Sequence, residues 1–433
     1  MNKLLLPLFF SLSYLTALPA WSVENPISVE QAKEKITDLI TNANIIPSAI
    51  ELQNQQFNIE YTIDEELNDF VTNMMKKVKP IHSAVVVIDN ETGNVLAAVG
   101  YEKKHDRINH SLPFTSSHPA ASLAKVITSA VLLEQNDVNL EAQYAFQGKS
   151  TTLKPRQLTE GSSVIKYKGK GKKRRKVVLT RRNKYQTFIE AFAHSNNPIF
   201  AKAAMKNLSG ELLKDMADRM GFNNNVMGDL IIPPSEFHLA HSPMNIAQYA
   251  SGYNNLNTIS PVHAAIIPSI VVNEGHLKNP RIIRRIYNDD SEIDFNEGNE
   301  TLVLQPGVAD ELKQMMEATI KIGTGRRGFY QMDPALLEQL DIGGKSGTFS
   351  GGSPYGKRDW FIAFAKPKDE SYGLGISIAV MNINSKKKIR SSRMVRNIVE
   401  HYFKDMATGD YQNSTTVDDT DDEDDDDESD LDQ

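Results

Sequence analysis

The 433-residue chain contains no cysteine. That absence excludes a disulfide framework, a thiol nucleophile and a lipid anchor on cysteine, and it removes the usual ligands of structural zinc. The ten histidines do not replace them. None falls in an H-E-x-x-H pattern, and His118 and His194 read as packing or solvated groups rather than ligands. No metal and no cofactor are implied. Long apolar runs are scarce too. Leu4 to Leu18 follows Lys3 and precedes Ala20-Trp21-Ser22, and no later stretch is long and apolar enough to be a second span. This is the pattern of a signal peptide over residues 1–22, cut after Ala20 or Ser22. An uncleaved N-terminal anchor is the alternative. The expected location is the periplasm or the cell exterior.

Acidic residues are unevenly spread. The formal charge is −7, yet residues 418–432 alone hold twelve carboxylates, and without them the charge would be +5. The segment 406–433 has few apolar residues and repels itself, so it is expected to be a disordered tail. Positive charge is concentrated between Lys166 and Lys176, where eight of eleven residues are Lys or Arg. Gly169 and Gly171 lie within this run, and β-rich stretches flank it, so residues 163–184 read as an inserted basic hairpin. Such a hairpin is either a solvated loop or a surface for a polyanion, this chain's own tail included. An exported protein meets little nucleic acid, so none is expected as a partner.

Residues 23–80 read as a helical lead-in packed on the main domain. Val29, Ala32, Ile36, Leu39 and Ile40 share one helix face, and a second helix follows Asp64, its expected N-cap. Ala84–Asp89 and Val95–Val99 flank an Asn-Glu-Thr-Gly turn, which predicts an antiparallel hairpin. Trp360–Ala365 and Leu374–Met381 predict two more strands, covered by a helix with Met394, Val395, Ile398, Val399 and Tyr402 on one face. Strands near both ends of residues 81–405, with helices between, predict one interleaved α+β domain. No internal repeat is visible.

Three short motifs carry the chemistry: Ser122-Leu123-Ala124-Lys125, Ser195-Asn196-Asn197 and Lys345-Ser346-Gly347-Thr348, separated by 73 and 150 residues. Ser122 and Lys125 fall on one face of a predicted helix, which lets the amine approach the hydroxyl. A serine hydroxyl needs an adjacent base, and a lysine serves as one only when burial or a neighbouring cation lowers its pKa. Lys345 is a candidate for that cation.

In these motifs and their flanks the chain resembles the transpeptidase domain of penicillin-binding proteins. Ala84–Gly100 looks like that family's opening hairpin, Asn196–Ala204 like the helix of its second motif, and Gly323-Thr324-Gly325 like the segment before its third. The resemblance implies an antiparallel five-stranded sheet flanked by helices, with a mainly helical subdomain. It implies Ser122 as nucleophile, Lys125 as base, Ser195 as proton relay and Lys345 as an electrostatic group. Asn197 would hold the substrate's peptide group. Gly347 would permit close approach, the hydroxyls of Ser346 and Thr348 would bind a carboxylate, and the N–H groups of Ser122 and Thr348 would form an oxyanion hole. The implied activity is DD-transpeptidation of D-Ala-D-Ala stem peptides in peptidoglycan, with β-lactams as inhibitors. A DD-carboxypeptidase or endopeptidase, or a wall-binding module without turnover, is the alternative. An anionic wall polymer or membrane surface would be the partner of Lys166–Lys176. Ala120-Ala121 and Ala124 stand where the family often has Pro-Gly and Phe, and Ser346 stands where Thr is commoner. No Glu is placed by a recognisable motif to activate a deacylating water, which argues against a β-lactamase.

Overall fold

The computed structural model describes residues 28–159, 163–168, 175–180, 182–295, 300–384 and 389–406. The expected signal peptide and the tail from residue 407 onward lie outside them. The described chain opens with helix α1 (Val29–Thr41), a hairpin of β1 (Ala49–Leu52) and β2 (Gln55–Tyr61), and helix α2 (Glu65–Val78). Both helices match the periodicity, and Asp64 caps α2 by accepting from the Leu67 N–H at 3.0 Å. The hairpin corrects the all-helical lead-in. Ile50, Leu52, Phe57 and Ile59 alternate inward, while Gln53 and Asn54 both take positive φ, as two-residue turns between right-twisted strands require. β2 also pairs with Ile283–Tyr287, which ties the lead-in to the middle of the chain.

The central sheet begins with β3 (His82–Asp89), β4 (Val95–Glu102) and β5 (Arg107–Ile108). The chain then leaves the sheet for a helical region containing α3 (Ala124–Glu134), α4 (Phe188–Ala193) and α5 (Asn197–Asn207). It returns as β6 (Leu340–Gly351), β7 (Gly356–Pro367) and β8 (Ile376–Asn384), and α6 (Ser391–Tyr402) follows. Strand order is β6-β7-β8-β3-β4-β5, with antiparallel pairing throughout. Val85 opposite Val380 joins the first and last long strands. Six strands stand where five were expected, because β5 is only two residues long and leaves no alternation to read.

Helices on both faces explain the unbroken apolar run of β3. Val86 and Ile88 join one core with α3 and the wholly buried helix Pro261–Val272. Val85 and Val87 join the other core, with α2 and with Met394, Val395, Ile398 and Val399 of α6. β6 is left as an edge strand facing the helical region, and that edge frames the site. The basic insertion is a hairpin as expected: Ser163–Lys168 pairs with Arg175–Thr180, and its tip lies outside the described residues. No described helix is long and apolar enough to cross a membrane.

Candidate active site

Ser122 sits in a single 3-10 turn, Ala121–Leu123, that leads straight into α3. Ala121 before it has φ +49°, a left-handed conformation that costs an alanine on the order of 1 kcal/mol or more. Neighbours hold the turn in place. Ala120 N–H donates to Asn257 O at 2.9 Å, and the indole of fully buried Trp360 donates to Pro119 O at 3.1 Å. Gly252, at φ +68°, backs directly onto the Ala121–Ser122 peptide, where any Cβ would collide with Ala121 O. The nucleophile candidate is thus presented half-exposed on a rigid corner.

One helical turn on, Lys125 is fully buried. Its Nζ lies 2.9 Å from Ser122 Oγ, 2.7 Å from Asn197 Oδ1 and 2.6 Å from Ser251 O. Burial first, and the Lys345 charge second, hold this amine well below the ordinary lysine range. Two of its three directions end on carbonyl oxygens, which only accept. In its neutral form the amine would spend both N–H groups on Asn197 and Ser251 and turn its lone pair toward the Ser122 hydroxyl.

Ser195 occupies the turn between α4 and α5 at φ +55°. Asn196 caps α5 by accepting from Ile199 N–H at 3.1 Å, and Asn197 is the first residue of that helix. The Asn197 amide is more occupied than a free substrate contact would be. Its Oδ1 takes the Lys125 bond, and Nδ2 donates to Thr151 O at 2.9 Å, leaving one N–H.

Lys345 reaches Ser195 from the edge strand. Its Nζ lies 3.0 Å from Ser195 Oγ and 3.0 Å from Ser346 O, and burial lowers its pKa to about 7. Pleating then sorts the third motif: Lys345 and Gly347 are buried, Ser346 is half-exposed and Thr348 is exposed. Gly347 sits where a Cβ would lie 3.2 Å from Trp360 Cβ and 3.3 Å from Ala120 O, tight enough that the strand or the Ser122 turn would have to yield by a few tenths of an ångström. His118 is buried, accepts from Arg358 Nε at 3.3 Å and is driven down to about 4 by burial and Arg358. His194 is exposed. The described residues contain no cluster of His, Asp or Glu able to hold a metal ion.

Ser122, Lys125 and Asn197 are joined by hydrogen bonds, Lys345 reaches Ser195, and Gly347 packs against the turn that carries Ser122, while the Ser346 hydroxyl is engaged by Thr324 and Thr348 is exposed on the same edge strand. The profile of the penicillin binding protein transpeptidase domain matches residues 83–400. The chain belongs to this family. Penicillin-binding transpeptidase domains act on the cell wall, outside the cytoplasm. Among curated proteins, stage V sporulation protein D of Bacillus subtilis is 24% identical over 249 residues. That alignment takes in 55% of this chain and 34% of the relative, so the chain spans about a third of that protein's length. Among solved structures, penicillin binding protein 3 of Mycobacterium tuberculosis superimposes with TM-score 0.63 at 15% identity, covering 82% of this chain and 81% of that one. The penicillin G acyl-enzyme complex of penicillin-binding protein A from the same organism gives 0.60 at 17% identity, with the same coverage. At such identities the likeness establishes the fold.

Within this transpeptidase domain, geometry adds residues to the motifs. Thr324 Oγ1 lies 2.6 Å from Ser346 Oγ, and the Thr324 N–H donates to Ala193 O at 3.0 Å. Gly323 before it leaves no room for a Cβ against Ala193 O. Thr324 therefore stitches the Ser195 turn to the third motif. Ser251, whose carbonyl accepts from Lys125, and Gly252 end the helix Pro243–Ser251. A glycine at a helix end was the one signal of this corner in the sequence.

Proposed function

We propose that the domain is an exported serine DD-transpeptidase that joins D-Ala-D-Ala stem peptides of peptidoglycan through an acyl-enzyme on Ser122. The observation that carries the proposal is the Lys125 amine, 2.9 Å from Ser122 Oγ, with carbonyl oxygens filling its two other directions. Ser122 Oγ attacks the carbonyl carbon of the penultimate D-alanine while its proton passes to Lys125 Nζ. Backbone N–H groups of Ser122 and Thr348 take up the developing oxyanion, each worth about 10²–10³ in rate. The C–N bond then breaks, and the departing amine takes the proton held on Lys125, relayed through Ser195 Oγ, which returns Lys125 to its neutral form, with Lys345 supplying positive charge. Hydroxyls of Ser346 and Thr348 bind the terminal carboxylate, and the free N–H of Asn197 holds the stem's peptide group. An acceptor amine attacks the ester, loses its proton to Lys125, and restores the Ser122 hydroxyl. A β-lactam enters by the same first step and stays as the ester.

Incubation with pentapeptide-bearing muropeptides tests turnover. Cross-linked dimers together with free D-alanine are the expected products. D-alanine without dimers would assign a DD-carboxypeptidase, in which water replaces the amine. Neither product would leave a wall-binding module and overturn the catalytic reading.

A further inference from the structure

Two cavities open beside the Ser195 turn and share Lys149. One, of about 350 Å³, is lined by Lys149, Lys154, Arg156 and Arg182 together with neutral groups. The other, of about 450 Å³, runs from Lys149 past Lys184 to His194, next to Ser195. All six of these residues are exposed, and among the described residues no Asp or Glu lines either cavity. Together they form a trough with five cations along it. Its floor is continuous with the catalytic cleft, because Ser150 O and Thr151 O accept from the backbone and side-chain N–H groups of Asn197 at 2.8 and 2.9 Å.

A concave cationic trough suits an extended anionic strand better than a flat anionic surface, since charges along a strand can sit inside both cavities. The chain itself carries such a strand, with twelve carboxylates in residues 418–432. We propose that the trough is a binding site for an acidic peptide strand and that this chain's own residues 418–432 occupy it.

Reach allows this. The described chain ends at Met406, whose carbonyl accepts from Gln339 Nε2 at 2.9 Å, beside the start of β6. Lys345 lies five residues along that strand, ~17 Å away at ~3.4 Å per residue. Eleven residues lie between Met406 and Asp418, twelve steps of chain with a contour of up to ~40 Å. The first carboxylates can therefore pass the cleft and enter the trough. Tethering raises their effective concentration to about millimolar, and the contact is sensitive to salt. The site goes beyond the proposed transpeptidation and does not depend on acyl transfer.

Carbodiimide coupling of the full-length protein at low salt, followed by mass mapping, reads occupancy directly, because it joins a carboxylate to a lysine amine with loss of water. Cross-links from 418–432 should concentrate on Lys149, Lys154 and Lys184 and disappear at high salt. The double variant Arg156→Glu, Arg182→Glu leaves those amines in place and should reduce the cross-links several-fold. Cross-links spread over exposed lysines such as Lys76 and Lys357, or confined to Lys166–Lys176, would overturn the assignment. A second measurement leaves the described fold untouched. A full-length chain with Asp→Asn and Glu→Gln throughout 418–432 should bind labelled poly-L-glutamate several-fold more tightly than the native chain at low salt. Equal binding would contradict the proposal whether or not Ser122 reacts with penicillin.

Discussion

Lys125 and Lys345 are both fully buried, and each presents its amine to a serine, at 2.9 Å from Ser122 Oγ and 3.0 Å from Ser195 Oγ. Neither has a carboxylate partner among the described residues. Their positive charges are therefore costly, and burial pushes both pKa values down. The same cost makes one available as a base and keeps the other close to losing its proton.

If Lys125 is the base, Lys125→Ala should slow acylation by a fluorescent penicillin by about 10²–10⁴, the usual worth of a positioned base. Stopped-flow labelling measures it. Lys345→Ala should leave a slower but measurable reaction.

The acylation rate should be bell-shaped in pH. The rising limb is loss of the Lys125 proton; the falling limb, near pH 7, is loss of the Lys345 proton. Because the lysines interact, both limbs belong to the pair. Stability has the opposite sign above neutrality. From about pH 7 to about pH 10 the unfolded chain binds a proton at Lys345 that the folded chain lacks, so stability rises with pH, on the order of 1 kcal/mol per unit. Below pH 7 the burial penalty is present in full. Buried Lys125 contributes with the same sign, so Lys345→Met should make that rise in urea unfolding series shallower without abolishing it.

Gly252→Ala adds a Cβ that collides with Ala121 O at a position with φ +68°. It should destabilise the protein by about 2 kcal/mol or more and slow penicillin labelling because the Ser122 corner moves. Thermal unfolding and labelling on one preparation would separate the two effects.

Thr324→Val keeps the volume and removes the hydroxyl shared with Ser346. A stability loss of about 1 kcal/mol should accompany a roughly tenfold slower acylation, equivalent to about 1.4 kcal/mol of lost transition-state stabilisation. An unchanged rate would make Thr324 a packing residue only.

The site was legible because its chemistry demands particular residue types. A serine with a lysine one turn away, and a second serine with a buried lysine, leave little freedom, and each lysine amine lies within hydrogen-bond distance of its serine. Asp64 was legible as a cap and Met394 to Val399 as a covering face, because both are local patterns. The hairpin Ala49–Tyr61 was not. Its turn is Gln53-Asn54 without glycine, and its strands are held by pairing with Ile283–Tyr287, more than two hundred residues away. Of the corner of Ala121 against Gly252 only the helix-ending glycine left a mark in sequence, since an alanine at positive φ is set by tertiary contacts.

The central claim is that Ser122 is the nucleophile. Mass mapping after incubation with a fluorescent penicillin tests it most directly. The account predicts one stoichiometric adduct on the peptide containing Ser122, absent from Ser122→Ala. No adduct on the native protein, or an equal adduct on Ser122→Ala, would contradict it.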